Sequence, residues 1–309
     1  MSAPIEDTYA EAFRSLFAEV LVTARDKTWL DHACANATGH ASSTILCDCE
    51  AGVASFVDPA DTPDGRPGAV LQFHVPRFRK DREEALYQSL LKRVSQNVLT
   101  CPTASAFSPM AEDIAAGRSI PLGRKIAYFG DGHEFEAERL GRAVWVIPIL
   151  GGEFVMDRNF GFRDGVMGGN LWFLGESADA ALDAGAAAVA AVSKCDGVIA
   201  PFPGGLAGSA SKAGSNYKFL IASTFAEWCP TLKDKLGEKS LVPDGVKSIQ
   251  EIIINGRDLE SVAAATYAAI DAAKETPGLR LIRAGNYNGR LGKSFIPLIE
   301  GSTPWETGS

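Results

Sequence analysis

Histidine is scarce in this chain. The four that occur in 309 residues, His32, His40, His74 and His133, form no HExxH or HxH array, so each is read as a surface or turn residue rather than a metal ligand. Six cysteines are scattered along the sequence and only Cys47 and Cys49 lie close together. On a strand, side chains two apart face the same way, but that pair would still need two more ligands from elsewhere. Reduced structural thiols and no metal are expected. No apolar run approaches the roughly 20 residues of a membrane span. The opening MSAPIEDTYAEAF has no basic segment followed by an apolar core, so a cytoplasmic protein is expected. Positive charge is also short, with 30 basic against 38 acidic residues, a net charge of -8 and no Lys/Arg stripe. A nucleic-acid backbone or an anionic membrane is therefore excluded as the principal partner. There is no GxxxxGK[ST], no GxGxxG after the first strand and no GxSxG, which removes the usual signals for a nucleoside triphosphate, a Rossmann dinucleotide and a serine nucleophile. Cys101 and Cys195 remain as nucleophiles without an assignable base, so direct transfer in a ternary complex fits better than a covalent intermediate.

What the chain does have is an order of elements stated twice. Residues 19–24, the helical run after Asp26 and residues 44–50 read as strand, helix, strand, and the order returns in 170–175, 178–193 and 197–203. Each half then adds a strand, helix and strand behind a Pro-Asp-Gly turn, at Pro63-Asp64-Gly65 and at Pro243-Asp244-Gly245. The pattern predicts an α+β, duplicated, two-lobed protein in which each lobe is a split βαβ (ferredoxin-like) sandwich. The lobes are placed at 1–150 and 151–309, with function expected in a cleft between lobes or subunits. A helix is predicted over 6–16, from a Tyr9, Phe13, Leu16 stripe, and another over 81–98. Short strands are predicted at 125–129 and 143–149 within a long insertion, and the alanine-rich stretches 178–193 and 258–273 read as close-packing helices.

Two segments carry candidate chemistry. In the loop 201–212, Gly204, Gly205 and Gly208 would let backbone amides approach a ligand. Ser209 and Ser211 offer short donors there, and Lys212 a positive charge for a carboxylate or oxyanion. A merely tight structural turn is the other reading. Glu251 lies in the apolar strand SIQEIII, on the face of Ile249 and Ile253. If that face is dry, its carboxyl stays protonated near neutrality and can serve acyl transfer; if the face is an edge, Glu251 is solvated or salt-bridged. Glycine-rich turns at 130–133, 151–154, 168–170 and 285–293 can rim a cleft, with Phe154, Phe160 or Tyr287 against a heterocycle and Arg290 or Lys293 against acidic groups.

The same segments, together with Ile5-Glu6-Asp7-Thr8, Glu11-Ala12-Phe13, residues 62–68 and 101–107, Ser209-Ala210-Ser211-Lys212, residues 251–256 and Ala284-Gly285-Asn286, resemble the formylmethanofuran:tetrahydromethanopterin formyltransferase family nearly from end to end. The resemblance implies transfer of a formyl group between the amine of methanofuran and N5 of tetrahydromethanopterin, both as co-substrates, with no bound cofactor. It implies direct attack through a tetrahedral intermediate, assisted by a buried protonated glutamate that matches Glu251. Substrate binding is expected from Gly204, Gly205, Ser209, Ser211, Lys212, Asn170, Phe154 and Tyr287. Homodimers pairing into homotetramers are implied. The moderate net charge and the cysteines point to the version from methylotrophic bacteria, the transferase subunit of a formyltransferase/hydrolase complex in formaldehyde oxidation. A non-catalytic subunit of that complex is the competing reading.

Overall fold

The structure, a computed structural model, describes residues 2–287 and 289–302. Two compact units emerge, one of Arg14–Gly165 and one of Met1–Phe13 with Val166–Ser309. By contacts, the chain passes from one unit to the other between Gly165 and Val166, within the strand Phe160–Gly168. The first thirteen residues go with the C-terminal unit because Tyr9–Ala12 pair antiparallel with Ser294–Pro297.

In the unit Arg14–Gly165, the strand that begins at Tyr9 and ends at Thr23 runs antiparallel beside Gly68–Pro76, with Leu16 opposite Val75 and Val20 opposite Leu71. Glu50–Val57 adds to the far side of Gly68–Pro76, and Ser105–Phe107 pairs with Leu21–Thr23. Helices Lys27–Thr38 and Arg82–Arg93 complete the strand-helix-strand, strand-helix-strand order. Alternate residues Leu16, Ala18, Val20 and Val22 bury with Leu71, Phe73 and Val75 against Leu30, Ala33, Leu86 and Leu90. The helix expected over 6–16 is thus a strand. Its apparent three-to-four spacing yields to the period-two run that follows, which has long partner strands to pair with.

The expected strand over 44–50 is a turn and bend as far as Cys49, and pairing begins only at Glu50. Asp48 explains this. Its carboxylate accepts from Arg93 at 2.6 Å and Ser89 at 2.9 Å, while the buried Arg93 also donates to the carbonyls of Ala37, Gly39 and His40. The strand expected at 125–129 is likewise helical, Leu122–Ala127.

His74 is fully buried on the opposite face of this sheet, not at the surface as expected. It stacks on Phe17 at 4.9 Å, contacts Ser15 Oγ at 3.0 Å through Nδ1 and meets Gln72 Oε1 at 3.1 Å through Nε2. Burial holds its pKa down, from 6.5 to about 3. Between those values only the unfolded chain binds the proton, so stability is full above the unfolded pKa and falls as pH drops. Urea unfolding should lose about 2 kcal/mol between pH 7 and pH 5 from this group. A His74→Asn variant that kept the full pH slope would remove His74 as its source.

In the other unit, Asn170–Gly175 lies between Ser248–Ile253 and Leu279–Arg283, antiparallel to both. Helices Ala178–Val192 and Leu259–Ala273 start at side-chain caps, Ser177 accepting from the amide of Ala180 and Asp258 from that of Ser261. Ala181, Ala184 and Ala188 on one helix and Ala265, Ala269 and Ala273 on the other are fully buried, so these small side chains admit close packing over Leu171, Phe173, Ile252 and Ile282. The strand expected over 197–203 shrinks to Val198–Ile199. The fourth position of the split βαβ sheet is held by one bridge between Ala207 and Glu251. Both units are thus α+β sandwiches of the expected kind.

Candidate active site

Strand periodicity builds the site. With Leu171, Phe173, Ile252 and Ile282 committed to the helices, their neighbours Asn170, Trp172, Glu251 and Arg283 face the other way. Register then sets a row across three strands: Glu251 lies opposite Trp172, and Trp172 opposite Arg283. Phe225 and Trp228 cover this face, each edge-on to Trp172 with centroids 5.5 Å apart.

Glu251 is 5% exposed. Its Oε1 accepts from Asn170 Nδ2 at 2.9 Å and from Trp172 Nε1 at 2.8 Å. Burial raises its pKa above the ordinary carboxyl value, and the two hydrogen bonds oppose that rise. The glycine-rich loop meets it through the backbone, Ala207 donating to the Glu251 carbonyl at 2.8 Å and Glu251 to that of Ala207 at 3.0 Å.

Within the loop, Gly205 has φ +81°, and a Cβ there would stand 2.7 Å from Val189, so this glycine serves close packing on the helix. Gly204 and Ser209 are exposed. The carbonyl of Ser211 accepts from the Tyr287 hydroxyl at 2.6 Å, and Lys212 pairs with Glu227 at 3.3 Å. Burial, then the charges of Glu251 and Glu11, push the Tyr287 phenol above its ordinary pKa, so it stays a hydrogen-bond donor. Asn170 is 8% exposed and uses its amide nitrogen on both Glu251 and the Gly285 carbonyl, so it holds the site together rather than offering itself to a ligand.

Phe154 is a correction. It is fully buried in the core of the unit Arg14–Gly165, where the alternation of strand Gly152–Asp157 turns Phe154 and Met156 inward. A side chain with no exposed surface cannot line a binding site, and Phe160 is buried in the same core. A surface cavity of about 370 Å³, lined by Leu91, Leu99, Lys125, Ile126 and Phe129 among others, contains none of the candidate residues.

Three residues that the sequence did not single out belong here. Trp172 supplies the indole donor. Arg283 has its guanidinium 3.8 Å over the Trp228 ring and its Nε 2.9 Å from Glu6 Oε2, an ionic contact not aligned as a hydrogen bond. Glu11 is 2% exposed and accepts from the backbone amides of Tyr287, Gly289, Leu291 and Gly292, fixing the turn that carries Tyr287. A charged residue in an apolar strand was the available signal for Glu11, as it was for Glu251. The thiols stay quiet: burial raises the pKa of Cys101 and Cys195 and pushes Cys49 up to about 12. Among the described residues, no three His, Cys, Asp or Glu side chains are grouped to hold a metal ion.

A buried carboxyl with a raised pKa, paired through its backbone with a glycine-rich loop, equips this unit for acid-assisted acyl transfer. Residues 1–149 match the family model for formylmethanofuran-tetrahydromethanopterin formyltransferase, and residues 152–300 match that described as FTR, proximal lobe. The chain is 47% identical to the formylmethanofuran–tetrahydromethanopterin formyltransferase of Methanosarcina acetivorans, over 96% of this chain and 97% of that protein. The crystallised enzyme from Methanosarcina barkeri is similar with a TM-score of 0.89 at 43% identity, covering 96% of this chain and 97% of that one. The chain belongs to the formylmethanofuran:tetrahydromethanopterin formyltransferase family.

The expected bacterial version is corrected by the same findings. The formyltransferase/hydrolase complex from Methylorubrum extorquens, solved with methylofuran, matches at TM-score 0.85 but 37% identity, covering 95% of each chain, below the values for the archaeal enzyme. Net charge and cysteine content reflect salt and redox surroundings rather than lineage, so they could not carry that assignment.

Proposed function

We propose that this protein transfers a formyl group between methanofuran and N5 of tetrahydromethanopterin, with both carriers as co-substrates and Glu251 as the proton donor and acceptor. The observation that carries the reading is the buried, pKa-raised Glu251 in a chain that matches the formyltransferases over both lobes. In the direction toward the pterin, N5 attacks the formyl carbon and a tetrahedral adduct forms. As the carbon–nitrogen bond to methanofuran breaks, Glu251 gives its proton to the departing amine, and its carboxylate then takes the proton from N5. The sum moves one proton from N5 to the amine, so no other acid is consumed.

Binding is assigned to Gly204, Ser209, Ser211 and Lys212 of the loop that Gly205 packs against the helix, and to the wall that holds Tyr287. Lys212 is only half-buried and already paired with Glu227, so its share is small. Lys212→Ala should raise KM for a carboxylate-bearing carrier by about two- to fivefold with kcat retained. Unchanged KM for both carriers would leave Lys212 a structural residue. A homodimer pairing into a homotetramer and a cytoplasmic setting go with this reading; no helix among the described residues is long and apolar enough to cross a membrane. The test is spectroscopic: formyl transfer from formyl-tetrahydromethanopterin to methanofuran by the purified protein. No transfer in either direction would overturn the reading.

A further inference from the structure

We propose that Asn170 and Trp172 are a pair of positioning residues that fix the transferable proton of Glu251 on Oε2 and receive the charge left on Oε1 when that proton departs. The inference rests on Glu251 acting as the proton donor and says how it is made to act. Both donors reach one oxygen, Asn170 Nδ2 at 2.9 Å and Trp172 Nε1 at 2.8 Å. An indole N–H and an amide NH₂ donate and do not accept, so a hydroxyl hydrogen on Oε1 would face two other hydrogens. The proton is left to Oε2, which has no hydrogen-bond partner among the described residues. When Oε2–H breaks, its bonding pair stays on the carboxylate and spreads to Oε1, where two N–H groups already point. They need not reorganise, which is the condition under which fixed donors lower a barrier.

The orientation of each donor is itself determined. Asn170 spends its second N–H on the Gly285 carbonyl at 3.0 Å, and a flipped amide would aim its oxygen at two acceptors. Trp172 is packed edge-on against both Phe225 and Trp228. Gly285 closes the arrangement, since a Cβ there would lie 2.5 Å from the Trp172 ring and 2.9 Å from Asn170 Nδ2. The charged and titratable groups around the pair are otherwise engaged. Arg283, 5.8 Å from the Trp172 ring, faces Glu6; the Tyr287 hydroxyl donates to Ser211; Glu11 is held by four backbone amides; Lys212 pairs with Glu227.

The experiment compares Trp172→Phe, Asn170→Ala and Glu251→Gln in the full-length protein by kcat, KM, the alkaline limb of the kcat–pH profile and Tm. Losing either donor should lower kcat by about 10- to 100-fold with KM within about threefold. It should also move the alkaline limb to higher pH, because the ionised carboxyl has lost a partner. A purely structural role would lower Tm and leave the limb where it is. Asn170→Ala serves alone if Trp172→Phe does not fold. Parental kcat and an unmoved limb in the donor variants, with Glu251→Gln inactive, overturn this inference alone. Parental turnover in Glu251→Gln overturns the proton-donor reading beneath it.

Discussion

Glu251→Gln is expected to lower kcat by about 10²- to 10⁴-fold with little change in KM for either carrier. The amide keeps the shape of the side chain and can still accept at Oε1 from Asn170 and Trp172. Its nitrogen can still donate a hydrogen bond where Oε2–H stood, but it cannot release that proton. The variant therefore separates transfer of a proton from polarisation by a hydrogen bond, and a loss below about tenfold would favour polarisation. The alkaline limb set by Glu251 should vanish along with the activity. Stability should respond in the opposite sense. Because burial raises the folded-state pKa of Glu251, the native protein holds the proton over a range where the unfolded chain has lost it. That contribution is complete below the unfolded value and disappears as pH rises through the folded one. Glu251→Gln carries no such penalty, so its Tm relative to the parent should rise toward alkaline pH; a Tm difference independent of pH would contradict the raised pKa.

What was legible in the sequence follows from how far each feature reaches. The duplicated order of elements and the alanine-rich helices over 178–193 and 258–273 depend on neighbours within a few residues, and the helices stand within a residue of where the pattern put them. Glu251 was legible because a carboxylate inside an apolar strand is costly wherever that strand packs. Its partners were not, since only the register that sets Trp172 opposite Glu251 brings the indole to the carboxyl. The stretch 9–16 was misread as helix for the same reason: its strand partners lie at Gly68–Pro76 and Ser294–Pro297, far along the chain. Phe154 follows two glycines and suggested a flexible rim, but one residue of strand phase decides between rim and core. The turn at 44–50 depends on Asp48 meeting Arg93 across 45 residues, which no local pattern contains.

Glu11→Ala should be the most damaging substitution outside the row of Glu251, Trp172 and Arg283. The carboxylate is buried and ties down a glycine-rich turn by its amides: Oε1 accepts from Tyr287 and from Gly289 at 2.9 Å, and Oε2 from Leu291 at 3.0 Å and Gly292 at 3.2 Å. An array of backbone N–H groups converging on an anion is a nest, here filled by the protein's own side chain. Removing it strands donors that the fold has withdrawn from water, at about 1–3 kcal/mol for each one left unsatisfied. A loss of about 3 kcal/mol or more in unfolding free energy is expected even after the turn relaxes toward solvent. The relaxation should be local, with amide hydrogen exchange at Tyr287, Gly289, Leu291 and Gly292 speeding up far more than exchange in the helices. Activity should fall with it, because the same turn presents Tyr287, whose hydroxyl latches the loop at Ser211. Glu11→Gln is the sharper control. It is nearly isosteric, yet it turns an NH₂ toward one pair of amides that had an oxygen to bond, so it should rescue little. If Gln restored parental exchange protection, or if Ala left it unchanged, the carboxylate would not be what organises the turn.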